Sequence, residues 1–346
     1  MIHTGRVLRL VRSTPWSILP DKLEEIVAIV EDHAAGVRLT HEEIRARIGS
    51  APRPEPSMAG SVAVLPLRGV VAQRANVMTE ISGGTSTERL GAMLAEYVRD
   101  PEISAVVLDV DSPGGSVFGV PELAASIMRM RGRKPIVAVA NSLAASAAYW
   151  IGAAADQFYV TPGGLVGSIG VLSVHTDISK AEEAAGTKTT IVTSAKYKAE
   201  GNEYEPLTEE ARAQMQARVD AYHAMFVRDV AAGRGVSAQV VQDAYGQGRV
   251  VNAEDAVRLG MADKVATLDQ VIARLQRQPA SRSARAFDVP AEIAAEDPAA
   301  TPKTVTALDL RIRQWQAMTH GPSAAGSVPA QETTHVRPPR ASEQKG

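Results

Sequence analysis

The chain of 346 residues contains no cysteine. That excludes a disulfide framework, a thiolate metal site and a cysteine nucleophile, and it fits a reducing compartment. Aromatic residues make up only 4%, so the core has to be assembled from small aliphatic side chains, with alanine and valine in plenty. No charge sign dominates: the net charge is −2, which offers no electrostatic basis for binding nucleic acid. The seven histidines are scattered, with no HExxH-type spacing among them. Neither a catalytic metal nor a cofactor is expected.

Long apolar runs are equally scarce. Near the N-terminus Arg6, Arg9 and Arg12 interrupt any candidate leader, so no signal peptide is expected. Ile136–Ala155 is mostly apolar, but it contains Asn141, Ser142 and Ser146 and opens on a β-like Ile-Val-Ala-Val. A buried strand running into a buried helix explains it better than a membrane span. A cytoplasmic protein without a membrane span is the expectation.

What is present has the balance of a globular protein, 45% apolar and 22% charged. Residues 1–48 read as a helical segment. Leu23, Ile26, Val27 and Val30 recur at helical spacing, Gly36 marks a stop, and Thr40 with Glu43 forms a capping box. Residues 49–58 carry three prolines and read as a stiff linker. Residues 59–277 form the main domain, in which β-rich runs alternate with helical segments. SVAVLPL leads to a helix capped by Thr85 and Glu88. AVVLDVDS leads to one at Pro121–Met130, IVAVAN to one at Ala145–Ala153, and a long helix spans Thr208–Ala232. QFYV, VGSIGVLSV and TTIVTS supply further strands. This order predicts an α/β fold with a covered, mostly parallel sheet. Residues 278–346 collapse into Ala, Pro, Ser, Arg and Glu, with one possible helix at Val305–Met318, and read as a low-complexity, largely disordered tail.

Three small-residue motifs stand at strand ends. DSPGGS, Asp111–Ser116, has paired glycines that leave backbone N–H groups open toward a developing oxyanion; an ordinary strand-to-helix turn would look the same. NSLAASAAYW places Ser146 between alanines near a helix start, where free N–H groups favour negative charge; a serine in a small-residue packing helix is the plainer reading. GLVGSIGV sets Ser168 between glycine-flanked residues of a buried strand.

Taken together over Val62–Val265, the motifs DSPGG, AAS before Tyr149–Trp150, VTPGGLVGSIGV and GRVVNAEDAVRLGMAD resemble the S49 peptidase family of the signal peptide peptidase A type. The resemblance implies a Clp protease/crotonase-like fold and a serine peptidase with a Ser-Lys dyad. It puts the nucleophile at Ser146, the oxyanion hole at Gly114, Gly115 and Ala147, and the general base at Lys198. Ser168 would orient the amine. Where family members often have two glycines after the serine, this chain has Ala147 and Ala148. Lys196, two residues before Lys198, is the competing base and would share its face in an extended strand. Such a lysine has to be neutral, so its pKa of about 10.4 has to fall by roughly 3 units through burial. His175 is read as structural or surface, and Asp109 and Asp111 as capping the turn.

The N-terminal segment, with VLRLVRSTPWSILPDKLEEI, further resembles head-maturation proteases of tailed phages and prophages. That implies protein substrates such as scaffold, portal or capsid proteins, a homo-oligomer in the bacterial host cytoplasm or the phage prohead, and a tail acting as docking or self-cleaved segment. The alternatives are a cellular signal-peptide-degrading peptidase, a crotonase-type acyl-CoA enzyme, and a non-catalytic assembly protein on the same fold.

Overall fold

The computed structural model describes residues 11, 14–34, 37, 40, 42–44, 55–74 and 84–277. The tail 278–346, with its expected helix at Val305–Met318, lies outside them, as do Gly36 and much of segments 1–48 and 49–58.

The chain enters with strand β1 (Trp16–Ile18) and helix α1 (Pro20–Ala34). A strand inside the expected helical segment has a local cause. Pro15 and Pro20 bracket Trp-Ser-Ile-Leu, and a residue before proline is pushed toward extended backbone. Pro20 then opens α1, where a missing N–H costs nothing. The capping box is present: Thr40 N–H donates to the Glu43 carboxylate at 2.7 Å, and Glu43 N–H donates back to Thr40 Oγ1 at 3.2 Å.

The main sheet contains β2 (Ser57–Ala59), β3 (Val62–Arg68), β6 (Ala105–Ser112), β8 (Ile136–Ala145), β9 (Gln157–Val160), β10 (Leu165–Gly167), β11 (Val250–Asn252) and β12 (Lys264–Val265). Its path runs β11-β10-β8-β6-β3-β2, with β9 and β12 branching from β8. Pairs β3–β6, β6–β8, β8–β9 and β8–β10 are parallel; β2–β3 and β10–β11 at the margins are antiparallel. Strand β8 changes partner along its length. Val137–Ala140 pair with β9 and Leu143–Ala145 with β10. A smaller sheet joins β1, β7 (Gly114–Ser116), β4 (Val71–Ala72) and β5 (Thr85–Ser86), in the order β1-β7-β4-β5.

Both faces of the main sheet are covered, which is why its strands read as unbroken apolar runs. Ala63, Leu65, Leu67, Val106, Leu108 and Val110 face helices α2 (Thr87–Arg99), α3 (Val120–Met130) and α4 (Ala147–Ala153) and the C-terminal part of α6 (Glu209–Arg234). Alternate residues Val62, Val64, Val107, Val137 and Val139 face α9 (Leu268–Gln276), through Val271 and Leu275. The remaining helices are α5 (Ser179–Ala184), α7 (Ala238–Ala244) and α8 (Ala253–Arg258). The architecture is thus α/β with a covered, mostly parallel sheet. No described helix is long and apolar enough to cross a membrane.

Local details differ from the sequence reading. The cap of α2 is Ser86, which accepts from Arg89 N–H, while Thr85 belongs to β5 and bonds Arg68 instead. TTIVTS (189–194) forms no strand and is exposed; no described strand pairs with it, and apolar pattern alone cannot supply a ladder partner. VGSIGVLSV stops as a strand at Gly167, because Gly167 and Ser168 sit at φ 114° and 52° and turn the chain off the ladder.

Candidate active site

Strand β8 carries the chain to Ser146, and α4 starts at the next residue. Every residue of α4 is buried, so the helix is gripped on all sides. The Trp150 ring stacks on Phe226 of α6 at 4.4 Å, and its Nε1–H donates to Asp229 at 3.0 Å. Tyr149 meets Phe158 edge-on at 5.4 Å, and its hydroxyl donates to the Met261 carbonyl at 2.9 Å. Arg131 closes the far end. Its guanidinium donates to the carbonyls of Ala153, Ala154, Ala155 and Gly233.

This grip holds Ser146 at φ 55°, ψ −120°, a backbone state that L residues avoid. Such a residue costs about 1–3 kcal/mol and persists only where its surroundings over-determine it. Ser146 N–H donates to the Gly167 carbonyl at 2.7 Å, and its own carbonyl accepts from Trp150 N–H at 3.0 Å. The hydroxyl does not cap α4, although it stands at the cap position. It instead meets the Ser17 hydroxyl and the Gly170 carbonyl, with only 1% of the residue exposed.

Strand β6 ends at that turn. The Ser112 hydroxyl donates to the Gly69 carbonyl at 2.6 Å and accepts from Gly114 N–H at 3.2 Å. Gly114 lies at φ 99°, and a Cβ there would fall 2.2 Å from the Ser17 carbonyl and 3.0 Å from Ser146 Cβ. A Cβ on Gly115 would fall 1.9 Å from the Val71 carbonyl. Only glycine lets the turn lie against Ser146, so the two motifs from distant parts of the sequence meet. Asp109 and Asp111 do not cap this turn. Both pair with Arg68, and Asn141 donates to Asp109 at 3.0 Å. Burial raises the Asp111 pKa, with Arg68 pulling the other way.

A third element completes the cluster. Ser17 of β1 shares a hydrogen bond with Ser146, Oγ to Oγ at 2.7 Å, and Ser17 Oγ also donates to the Gly170 carbonyl at 3.2 Å. Sequence patterning gave no signal for Ser17, since a lone serine between apolar residues has no spacing to betray it.

The other expected residues are distributed differently. Ser168 is buried and follows Gly167, whose carbonyl accepts from Ser146 N–H, and its own N–H is donated to the Arg249 carbonyl at 2.8 Å. Lys198 is exposed, in a turn closed by its N–H on the Ala195 carbonyl, and it lines an open cleft with Ser173, His175 and Arg218. Ser146 does not line that cleft, and its hydroxyl partners are Ser17 and Gly170. The structure therefore does not bring Lys198 to Ser146. Lys196 donates to Tyr197 Oη at 2.8 Å and to Glu210 at 3.0 Å, which raises its pKa. His175 Nε2 contacts the Asn202 carbonyl at 3.0 Å, away from the serine cluster.

Residues 129–281 match peptidase family S49. The capsid assembly protease C of Escherichia phage lambda is 32% identical over 266 residues, covering 75% of this chain and 60% of that protein. The head-tail preconnector protein of Enterobacteria phage P21 is 33% identical over 215 residues, covering 62% of this chain and 42% of that protein. The chain thus spans 60% and 42% of the lengths of these two relatives. Among solved structures, ClpP1 of Listeria monocytogenes is similar with a TM-score of 0.36 and 13% identity, covering 60% of this chain and 94% of that one.

Proposed function

Given a chain that carries a peptidase family S49 domain over residues 129–281, we propose that it is a serine endopeptidase with Ser146 as nucleophile. The observation that carries the reading is Ser146 itself, a strained, non-capping serine at the head of a fully buried helix and against a glycine turn. Its hydroxyl would attack a peptide carbonyl whose oxygen rests between Gly115 N–H and Ala147 N–H. The first N–H groups of a helix have no intrahelical acceptor and face developing negative charge favourably. Removing one such donor typically costs ~10²–10³ in rate.

Lys198 is the proposed base, taking the hydroxyl proton and returning it to the leaving amine before water hydrolyses the acyl-enzyme. Lys196 is the poorer choice, because Glu210 and Tyr197 favour its charged form, which has no lone pair to accept a proton. The segment carrying Lys198 exposes Ile191, Val192 (91%) and Tyr197. Such a segment has apolar surface left to bury, on its own domain or on a neighbouring copy, and that packing is what would bring the amine to Ser146 and desolvate it. Ser168, buried one residue after the Gly167 carbonyl that holds Ser146 N–H, would then orient the amine.

The similarity to a capsid assembly protease and a head-tail preconnector protein supports protein substrates of phage head assembly. The decisive experiment co-expresses the chain with the scaffold, portal and capsid proteins of its genomic neighbourhood and follows cleavage by mass spectrometry. Ser146→Ala abolishes cleavage while leaving the circular-dichroism spectrum unchanged. Cleavage that persists in Ser146→Ala removes the reading.

A further inference from the structure

We infer that β1 is a tethered, substrate-like strap lying in the peptide groove of the Ser146 site, and that it has to leave before a substrate enters. The inference rests on the reading of Ser146 as a nucleophile, but it makes its own prediction about binding.

Strand β1 is paired along both edges. On one side it runs antiparallel to β7, with Ser17 opposite Gly115 and Ile18 opposite Gly114. On the other, Trp16 and Leu172 exchange two backbone hydrogen bonds, each 2.9 Å. The segment therefore fills a slot between two stretches of chain, as an extended peptide does when it adds to a sheet. The register puts Ser17 at the chemically important position. Val117 N–H donates to the Pro15 carbonyl at 3.2 Å and Leu19 N–H to the Pro113 carbonyl at 2.9 Å. Hydrogen-bonded pairs recur at every second residue of an antiparallel ladder, so Ser17 and Gly115 form the bonded pair between them. Gly115 N–H, a proposed oxyanion donor, is thus given to the Ser17 carbonyl. The Ser17 hydroxyl meanwhile holds the Ser146 hydroxyl at 2.7 Å, and Ser146 is 1% exposed. Nucleophile and donor are both engaged by the same residue of the same strand.

The anchorage of β1 is separate from the main core. Trp16 and Ile18 pack with Leu23, Ile26 and Val30 of α1 and with Val70, in a cluster of their own. The strap can leave with its helix while the cores on both faces of the main sheet stay closed. A tethered ligand of this kind acts at an effective concentration on the order of millimolar. A free peptide that binds more weakly than that cannot displace it.

The test uses the full chain and its lack of cysteine. Trp16→Cys with Leu172→Cys puts two thiols at a bonded antiparallel pair, about 5.5 Å apart between Cα atoms, within disulfide reach. Binding of a fluorescein-labelled peptide spanning residues 12–21 is read by anisotropy in the oxidised and the reduced protein. The reduced form is expected to bind at least about tenfold tighter than the locked form, following the loss of effective concentration. Ser17→Pro, which keeps Trp16 and Ile18 but removes the Ser17 N–H from the ladder, is expected to bind tighter than the unaltered chain. It keeps the test open if the double variant folds poorly. Equal binding by the locked, reduced and unaltered proteins overturns the strap. Cleavage of the chain between Ser17 and Ile18, seen by mass spectrometry, also overturns it and makes β1 a self-processing site. Redox-dependent binding without hydrolysis in any form upholds the strap and instead removes the peptidase reading.

Discussion

Arg131→Met isolates what the grip on α4 is worth. Methionine keeps much of the aliphatic packing of the arginine stem and removes all its donors. In the structure those donors reach Ala153, Ala154 and Ala155, three successive buried residues at the end of the serine-bearing helix, and Gly233 of α6. Burial lowers the Arg131 pKa, a sign that the guanidinium is partly desolvated and held there by its partners. An unsatisfied buried carbonyl costs about 1–3 kcal/mol. Three of them lost together, allowing for relaxation and water entry, give roughly 3 kcal/mol. For a domain of this size that is a fall in Tm of about 6–12 °C. Urea unfolding followed by tryptophan fluorescence measures it as a lower midpoint at unchanged slope. Trp150 stacks one turn from Ser146 and reports on this helix directly. A midpoint within about 0.5 kcal/mol of the unaltered protein, the usual range of a neutral surface change, would refute the reasoning and leave α4 held by packing alone.

Other consequences follow from the same geometry. Gly115→Ala drives a Cβ to 1.9 Å from the Val71 carbonyl, backbone against backbone; the smaller sheet has to open, and peptide hydrolysis and thermal stability should fall together. Trp150→Ala empties a fully buried site and should cost about 3–5 kcal/mol in urea unfolding. Burial pushes Tyr245 up to about 12 and Tyr149 well above its usual value. Because these folded-state pKa values are raised, their contribution is complete below pH 10 and is lost as pH rises toward 12. For Tyr245 alone the loss is about 3 kcal/mol, and unfolding midpoints measured across pH 9–12 in Tyr245→Phe should show a shallower decline. Lys198→Ala should abolish peptide hydrolysis and Lys196→Ala should preserve it; mixing Ser146→Ala with Lys198→Ala protein restores cleavage only if the amine comes from a neighbouring copy.

The parts of this fold that were legible from sequence are those fixed by local chemistry. Unbroken apolar runs such as AVVLDV and IVAVA report a sheet covered on both faces, and glycines at Gly114 and Gly115 report a backbone that something approaches closely. Ser146 stood out only through the ordered set of motifs, since a serine between alanines by itself reads as a residue of a packing helix. Non-local pairing was not legible. TTIVTS has the composition of a strand but no described partner, and VGSIGVLSV breaks where two residues take positive φ. Ser17 and Arg131 act across 129 and more than 20 residues of sequence respectively, onto a helix whose position only the fold defines. Lys198 could be matched to a motif, yet its side chain stands away from Ser146, because a motif fixes order along the chain and not the packing of an exposed segment.

Strain at Ser146 and cover by β1 answer two different physical demands. The strained backbone is fixed by the main core, which contains Ala147, Trp150, Phe226 and Ala138 and has no reason to open during turnover. The cover is fixed by the small cluster around Trp16, Ile18 and α1. Exposing Trp16 and Ile18 forfeits about 1.5–3 kcal/mol each, so the uncovered site would be populated at roughly one part in 10²–10⁴. Apparent affinity for a substrate peptide is reduced by the same fraction. A substrate recovers that loss by offering what β1 offers: an extended backbone, a small residue opposite Ser146 and large apolar residues on either side. Short polar peptides lack those groups. On the proposed reading, the closed resting state would favour long apolar-flanked segments over the small peptides of ordinary assays, a preference imposed before any pocket selects a side chain.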